Sequence, residues 1–138
     1  MRVVGVLVVA LLIAELPLVA QNGQPTPSAP STIATCQLDL TGDQKPDRVT
    51  VSKQGESYTL VVLPSQGHVG AVTIFRWDDY PAEMSCVRGR SVRETRASGG
   101  SGRVVRTPGA YVELVWPESS SVAFVWVRDH FIEVWTSD

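Results

Sequence analysis

Apolar and polar residues alternate at every second position along most of the chain beyond residue 32, and many of the apolar ones are β-branched. This period places successive side chains on opposite faces of a strand, whereas a helix needs apolar residues three and four positions apart. That helical spacing is nearly absent. The predicted strands are 33–40, 48–53, 58–63, 69–77, 111–116, 122–127 and 131–136, with a polar strand after Cys86. The pattern predicts an all-β domain built largely as a meander.

The number of strands limits the possible architecture. About eight to nine strands cannot form a β-propeller, which needs at least four blades of four strands, and the sequence shows no internal repeat. We therefore expect a small antiparallel sandwich or a rolled meander. Large aromatic residues concentrate in the last strands, and we expect them to supply much of the core because each buries a large apolar area. They are Trp116, Phe124, Trp126, Phe131 and Trp135.

The N-terminal residues have the pattern of an export signal. Met1-Arg2 is cationic, and residues 3–14 form an apolar run shorter than the roughly 20 residues of a membrane span. We predict a signal peptide at 1–20 and a secreted or periplasmic protein, with an uncleaved N-terminal anchor as the alternative. Residues 21–32 are uncharged and rich in Pro, Ser, Thr and Gln, which predicts a disordered linker. The remaining 33–138 should form one β domain.

The two cysteines, Cys36 and Cys86, are predicted to form a disulfide. An exported protein reaches an oxidising compartment, where an even pair of cysteines normally bridges. The alternative, a metal-binding or catalytic thiol pair, is disfavoured because the spacing is wide and no histidine lies near either cysteine in the sequence.

Charge is nearly balanced overall but unevenly placed. The formal net charge of −2 indicates no nucleic-acid partner. Six arginines nevertheless fall between residues 88 and 106, around the Gly/Ser-rich stretch 98–102, which we expect to be mobile. This stretch is either a solvated loop or a patch for an anionic ligand, in which Arg93 and Arg96 are the candidate binding residues.

The segment DLTGDQKPD, from Asp39 to Asp47, has the oxygen spacing of a loop for a hard cation. Carboxylates occupy its first, fifth and ninth positions, with a hydroxyl at the third and a backbone carbonyl at the seventh. Calcium takes about six to eight oxygen ligands and is the predicted cofactor. The predicted ligands are Asp39, Thr41, Asp43, Lys45 through its carbonyl, and Asp47. Alternatively, the segment is a polar turn in which aspartates cap backbone amides and Lys45 and Arg48 partly neutralise them.

With the following Arg48-Val49-Thr50-Val51, this segment resembles the calcium loop of FG-GAP and VCBS-type repeats, D-x-[DN]-x-D-G-x-x-D before a strand. The three aspartates match directly, and Gly42, Lys45 and Pro46 match the commonest variant. Thr41 stands where Asn or Asp is usual, and Gln44 where glycine is usual. The resemblance covers residues 39–51 only and implies a calcium-binding loop.

Several functions remain open at this point. The main prediction is an exported, monomeric, non-enzymatic module for binding or structure, with an extracellular or periplasmic protein or a glycan as its partner. Trp77 is a candidate sugar-stacking residue because it stands beside Asp78, Asp79 and Tyr80 at a strand end. Inhibition of an extracellular enzyme is a further alternative.

Enzymatic activity is not predicted, with a hydrolase as the minor alternative. His68 and His130 flank turns, and neither a G-x-S-x-G nor an H-E-x-x-H motif occurs. Asp78 and Asp79 are adjacent, and neighbouring side chains on a strand point apart. The paired carboxylates of sugar hydrolysis are therefore not expected there.

Overall fold

A computed structural model describes residues 28–65, 70–78, 80–118 and 120–137. The predicted signal peptide at 1–20 lies outside these residues, as do residues 21–27 of the predicted linker, His68 and Asp79. The described residues form ten strands: β1 Ser31–Leu38, β2 Asp47–Gln54, β3 Ser57–Leu63, β4 Val72–Asp78, β5 Glu83–Arg88, β6 Ser91–Arg93, β7 Val104–Arg106, β8 Ala110–Val115, β9 Ser121–Val127 and β10 His130–Ser137. The predicted all-β class is confirmed.

The strands form two four-stranded antiparallel sheets and one small hairpin. The first sheet has the order β1-β2-β3-β4 and is a meander, while the second has the order β10-β9-β8-β5. Between β5 and β8 the chain makes an excursion, in which β6 pairs with β7. This hairpin was not predicted as a separate sheet, and its two strands bring the eight predicted segments to ten. The first strand begins at Ser31, two residues before the predicted domain start at residue 33.

Alternating side chains of the two large sheets make the main core. In β2, β3 and β8 every second residue is buried, as the two-residue period predicts. One side of this core consists of Leu40, in the loop after β1, and of the first-sheet residues Val49, Val51, Tyr58, Leu60 and Val62. The second sheet contributes Ala110, Val112, Leu114, Val122 and Phe124.

Strand β9 is buried on both faces, which explains its unbroken apolar sequence. Val122 and Phe124 face the main core, whereas Ala123 and Val125 belong to a second cluster on the outer face of the same sheet. The β6–β7 hairpin supplies Val92 to that outer cluster. A strand covered on both faces needs apolar residues at consecutive positions.

The two sides of the sandwich, where edge strands of the two sheets lie next to each other, differ in their contacts. At one margin, the predicted disulfide is confirmed: Cys36 in β1 bonds to Cys86 in β5, with 6.2 Å between their Cα atoms. At the other margin, β4 and β10 carry aromatic side chains. Within the described part of the chain, no helix has the length and apolar character needed to cross a membrane.

The expected aromatic core is only partly correct. Phe124 is buried, with 1% of its surface exposed, but Trp135 is 43% exposed. Trp116, Trp126 and Phe131 are half-buried. The prediction for Trp135 was wrong because it lies on β10, an edge strand of its sheet, where no further strand covers it.

Candidate functional site

Three tryptophans meet at one end of the sandwich because three strands end there. Trp77 lies near the C-terminal end of β4, Trp116 directly follows β8, and Trp135 lies near the end of β10. Strands β8 and β10 both pair antiparallel with β9 and therefore run in the same direction. A break in register between Trp135 and Ser137 adds a bulge to β10 at this point, and bulges commonly redirect side chains.

The aromatic rings form a continuous row from the core to the surface. Phe75 contacts the buried Phe124, with ring centroids 5.2 Å apart, and also contacts Trp77 at 5.9 Å. Trp116 packs edge-on against Trp77 at 6.0 Å and stacks with Trp135 at 6.3 Å and 21°. The inner members of the row are held by the core, so the outer rings rest on a rigid base.

These rings line an open cleft of about 650 Å³. Its walls are Phe75, Trp77, Asp78, Tyr80, Trp116, Pro117, Glu118, Ser120 and Trp135. Tyr80 is 71% exposed, and its backbone carbonyl accepts a hydrogen bond from the indole N–H of Trp77 at 2.9 Å. The carboxylate of Asp78 accepts a hydrogen bond from the hydroxyl of Ser57 at 2.5 Å. The cleft therefore combines exposed ring surfaces with oriented polar groups.

A second cavity of about 500 Å³ adjoins the first. The two share Ser120 and Trp135, so Trp135 stands between them. The amide of Thr95 donates to the carbonyl of Trp135 at 2.8 Å, which attaches the loop after β6 to this edge of β10. The joined cavities form an extended groove that we call the aromatic groove.

Glu94 holds the Gly/Ser-rich stretch at the second cavity. Its carboxylate accepts hydrogen bonds from the amide of Ser101 at 3.0 Å and from the Ser101 hydroxyl, and it faces the guanidinium of Arg103 at 3.5 Å. These hydrogen bonds, more than the nearby charge, lower the pKa of Glu94 below its usual value. This stretch contains a short 3-10 helix, Ala97–Gly99, and these contacts link it to β6 and β7; its mobility stays a prediction.

The candidate arginines lie on the exposed side of this region. Arg93 and Arg96 are both exposed, and Arg93 donates a long hydrogen bond of 3.5 Å to the carbonyl of Gly102. In the β6–β7 hairpin, Val92 and Val105 turn inward, so Arg93 and Arg106 share the outer face. An anionic ligand for this face stays a prediction.

In the acidic loop, the aspartates bind backbone amides. Asp47 is fully buried and accepts from the amides of Leu40, Thr41 and Ser65 at 2.8, 3.1 and 2.8 Å. Because Ser65 follows β3, this one carboxylate connects both ends of the loop to the neighbouring strand. It is the structural centre of the loop.

The other two aspartates also accept hydrogen bonds from backbone amides. Asp39 accepts from the amides of Gly42 and Gln44 at 2.7 and 2.8 Å. Asp43 accepts from the amide of Lys45 at 2.9 Å and from the Ser65 hydroxyl at 2.8 Å. These contacts agree with the alternative in which aspartates cap backbone amides.

The loop offers the carboxylate, hydroxyl and carbonyl oxygens that calcium binds, but its carboxylates do not form a recognisable metal-binding group. Across the described ranges, no three or more His, Cys, Asp or Glu side chains come together in a group that could hold a metal ion. Gln44 nevertheless adopts a φ of 65°, the left-handed backbone for which the repeat family uses glycine. The Thr41 hydroxyl oxygen is buried without a hydrogen-bond partner.

Sequence reasoning identified Trp77 but missed its partners in the groove. Trp116 and Trp135 were assigned to the core, and Tyr80 was noted only as a neighbour of Trp77. One signal was present: each of the three tryptophans stands at or next to the end of a strand and close to turn residues. Comparison with known proteins finds no matching family model, no similar curated protein and no similar solved structure.

Proposed function

We propose that this protein is an exported carbohydrate-binding module whose site is the aromatic groove. The observation that carries this proposal is the row of rings that ends in the exposed Trp135, in a cleft that the exposed Tyr80 and the polar groups of Asp78 and Ser120 also line. Sugar rings present apolar C–H faces and polar edges, so they match flat aromatic surfaces flanked by hydrogen-bonding groups.

The length of the groove favours an oligosaccharide over a single sugar. The two cavities continue past Trp135, and together they exceed the volume that one sugar ring would fill. A rigid base supports this role, because rings already fixed by packing lose little entropy on binding. Binding without cleavage is part of the proposal.

The test is titration of the mature domain with neutral oligosaccharides of one to six units, followed by tryptophan fluorescence and calorimetry. We expect affinity to rise with chain length. Replacing Trp135 or Tyr80 by alanine should weaken binding about fivefold, since an aromatic contact contributes about 1 kcal/mol. Trp126→Phe is the control, because Trp126 packs on Phe131 away from the groove.

The outcomes of this test are distinct. Unchanged affinity in Trp135→Ala and Tyr80→Ala would reject the groove as the site. Analysis of the sugars after incubation should recover them intact, and shortened products would show a hydrolase in place of a binding module.

We also propose calcium binding at the acidic loop as a second function. Two observations favour it: the buried Thr41 oxygen without a partner and the left-handed Gln44. The aspartates, Thr41 and the Lys45 carbonyl would hold the ion, whose charge would offset the repulsion between the carboxylates. Calorimetric titration should show one site that is lost in Asp43→Ala, and the absence of both heat and thermal shift at millimolar calcium would reject it.

A further inference from the structure

The charged groups in the first cavity of the aromatic groove are all acidic. Of the described residues that line it, Asp78 and Glu118 carry charge and none is basic. Both are exposed, and Asp78 is positioned by its hydrogen bond from Ser57. A ligand in this cavity therefore meets two carboxylates beside tryptophan rings.

Aromatic faces add to the same electrostatic preference. The face of an indole ring is electron-rich and attracts an ammonium group placed over it, most strongly when water is partly excluded. Carboxylates and indole faces thus both favour a positively charged ligand. An acidic sugar would be repelled by both.

The second cavity lacks this preference. Its acidic residue, Glu94, already faces the guanidinium of Arg103 and accepts two hydrogen bonds from Ser101. Selection by charge is therefore confined to the part of the groove that contains Asp78 and Glu118. The second cavity can accept a neutral ring.

We infer that the aromatic groove selects oligosaccharides that carry free amino groups, with an ammonium beside Asp78 and Glu118 and a sugar ring against Trp116 and Trp135. This inference rests on the proposed function. A basic peptide would satisfy the carboxylates, and an arginine guanidinium can stack on tryptophan. An amino sugar is favoured because it carries an ammonium and an apolar C–H face on the same ring, which matches carboxylates set beside tryptophan rings.

The experiment compares three sugar tetramers of equal length, made of glucosamine, N-acetylglucosamine or galacturonic acid, and uses tetralysine as the peptide probe. We expect the protonated glucosamine tetramer to bind roughly threefold to tenfold more tightly than the N-acetylated one, the range expected for two exposed charge pairs. Galacturonic acid should bind most weakly. The preference should shrink at high salt, because ions screen exposed charges.

Substitutions at Asp78 and Glu118 test whether these two carboxylates cause the preference for glucosamine. Asp78→Asn combined with Glu118→Gln should remove the preference, so that the glucosamine and N-acetylglucosamine tetramers bind with equal affinity. Glu118→Gln alone, which changes an exposed residue in a turn, should reduce the preference for glucosamine. This single variant keeps the test valid if the Asp78 replacement lowers the stability of the fold. Asp129→Asn, at an exposed acid in the turn between β9 and β10 and at the opposite end of β10 from Trp135, is the matched control and should have no effect.

The results separate this inference from the proposed function. Equal affinity for the charged and N-acetylated tetramers would overturn the inference and leave carbohydrate binding in place. Binding of tetralysine without binding of any sugar would overturn both in favour of a peptide ligand. If no tetramer binds, the proposed function itself falls.

Discussion

Replacing the buried Asp47 should destabilise the fold more than any other change in the acidic loop. Its carboxylate accepts three backbone hydrogen bonds, from Leu40, Thr41 and Ser65, and none of its surface is exposed. Asp47→Ala would remove the acceptor from all three amides at once. The amides of Thr41 and Ser65 are only partly buried and can recover some hydration, whereas that of Leu40 is buried.

The expected loss follows from the energies of these bonds. A hydrogen bond to a charged group contributes about 1.5–3 kcal/mol, and a buried donor left without a partner costs about 1–3 kcal/mol. With partial rehydration of two donors, we expect Asp47→Ala to lower the free energy of unfolding by about 3–5 kcal/mol. Asp47→Asn keeps one acceptor oxygen and should lose about 2 kcal/mol.

The assay is urea unfolding followed by tryptophan fluorescence, with a chelator present so that calcium plays no part. Asp39→Ala is the control, since it removes the same side chain from the same loop but breaks two exposed amide contacts. It should lose about 1 kcal/mol. A loss in Asp47→Ala that is no greater than in Asp39→Ala, or that appears only with calcium, would refute the reasoning.

Three further predictions concern stability. Breaking the Cys36–Cys86 bond, which spans 50 residues of sequence, by a double serine replacement should lower the unfolding free energy by about 4 kcal/mol, measured as the urea midpoint against oxidised wild type, and reduced wild type should match the double variant. Gly42→Ala should lower it by about 1–2 kcal/mol, because φ is +83° and the new Cβ would lie 2.8 Å from a proline side chain; an unchanged melting temperature would contradict this. Hydrogen bonds from Ser101 lower the pKa of Glu94. At pH values above the usual carboxylate pKa, wild type should therefore be more stable than Glu94→Gln. This advantage should disappear as the pH falls through the lowered pKa. A stability advantage of wild type that grows as the pH falls would exclude this explanation.

Local patterns in the sequence were sufficient for the longer strands, and the even number of cysteines in a chain predicted to be exported was sufficient for the disulfide. The two-residue period marks which side chains of β2, β3 and β8 are buried, because adjacent side chains on a strand must face opposite ways. The β6–β7 hairpin escaped prediction because its strands are three residues long, too short to show a period.

The acidic loop was recognisable as a unit, but its internal contacts were not. Spacing alone is compatible with carboxylates that converge on an ion and with carboxylates that accept amide hydrogen bonds. The contact between Asp47 and Ser65 joins residues 18 positions apart. Such a contact depends on how β2 and β3 pair, which local spacing does not encode.

The aromatic groove depends on tertiary structure most of all. The sequence by itself determined that tryptophans stand near the ends of strands, and that apolar side chains alternate toward a core. Whether a given ring is buried or exposed was decided by the order of strands in the sheets, which places Trp135 on the edge strand β10 and Phe124 on the central strand β9. The physical reason is that burial depends on neighbours distant in sequence, whereas alternation records only the two faces of a single strand.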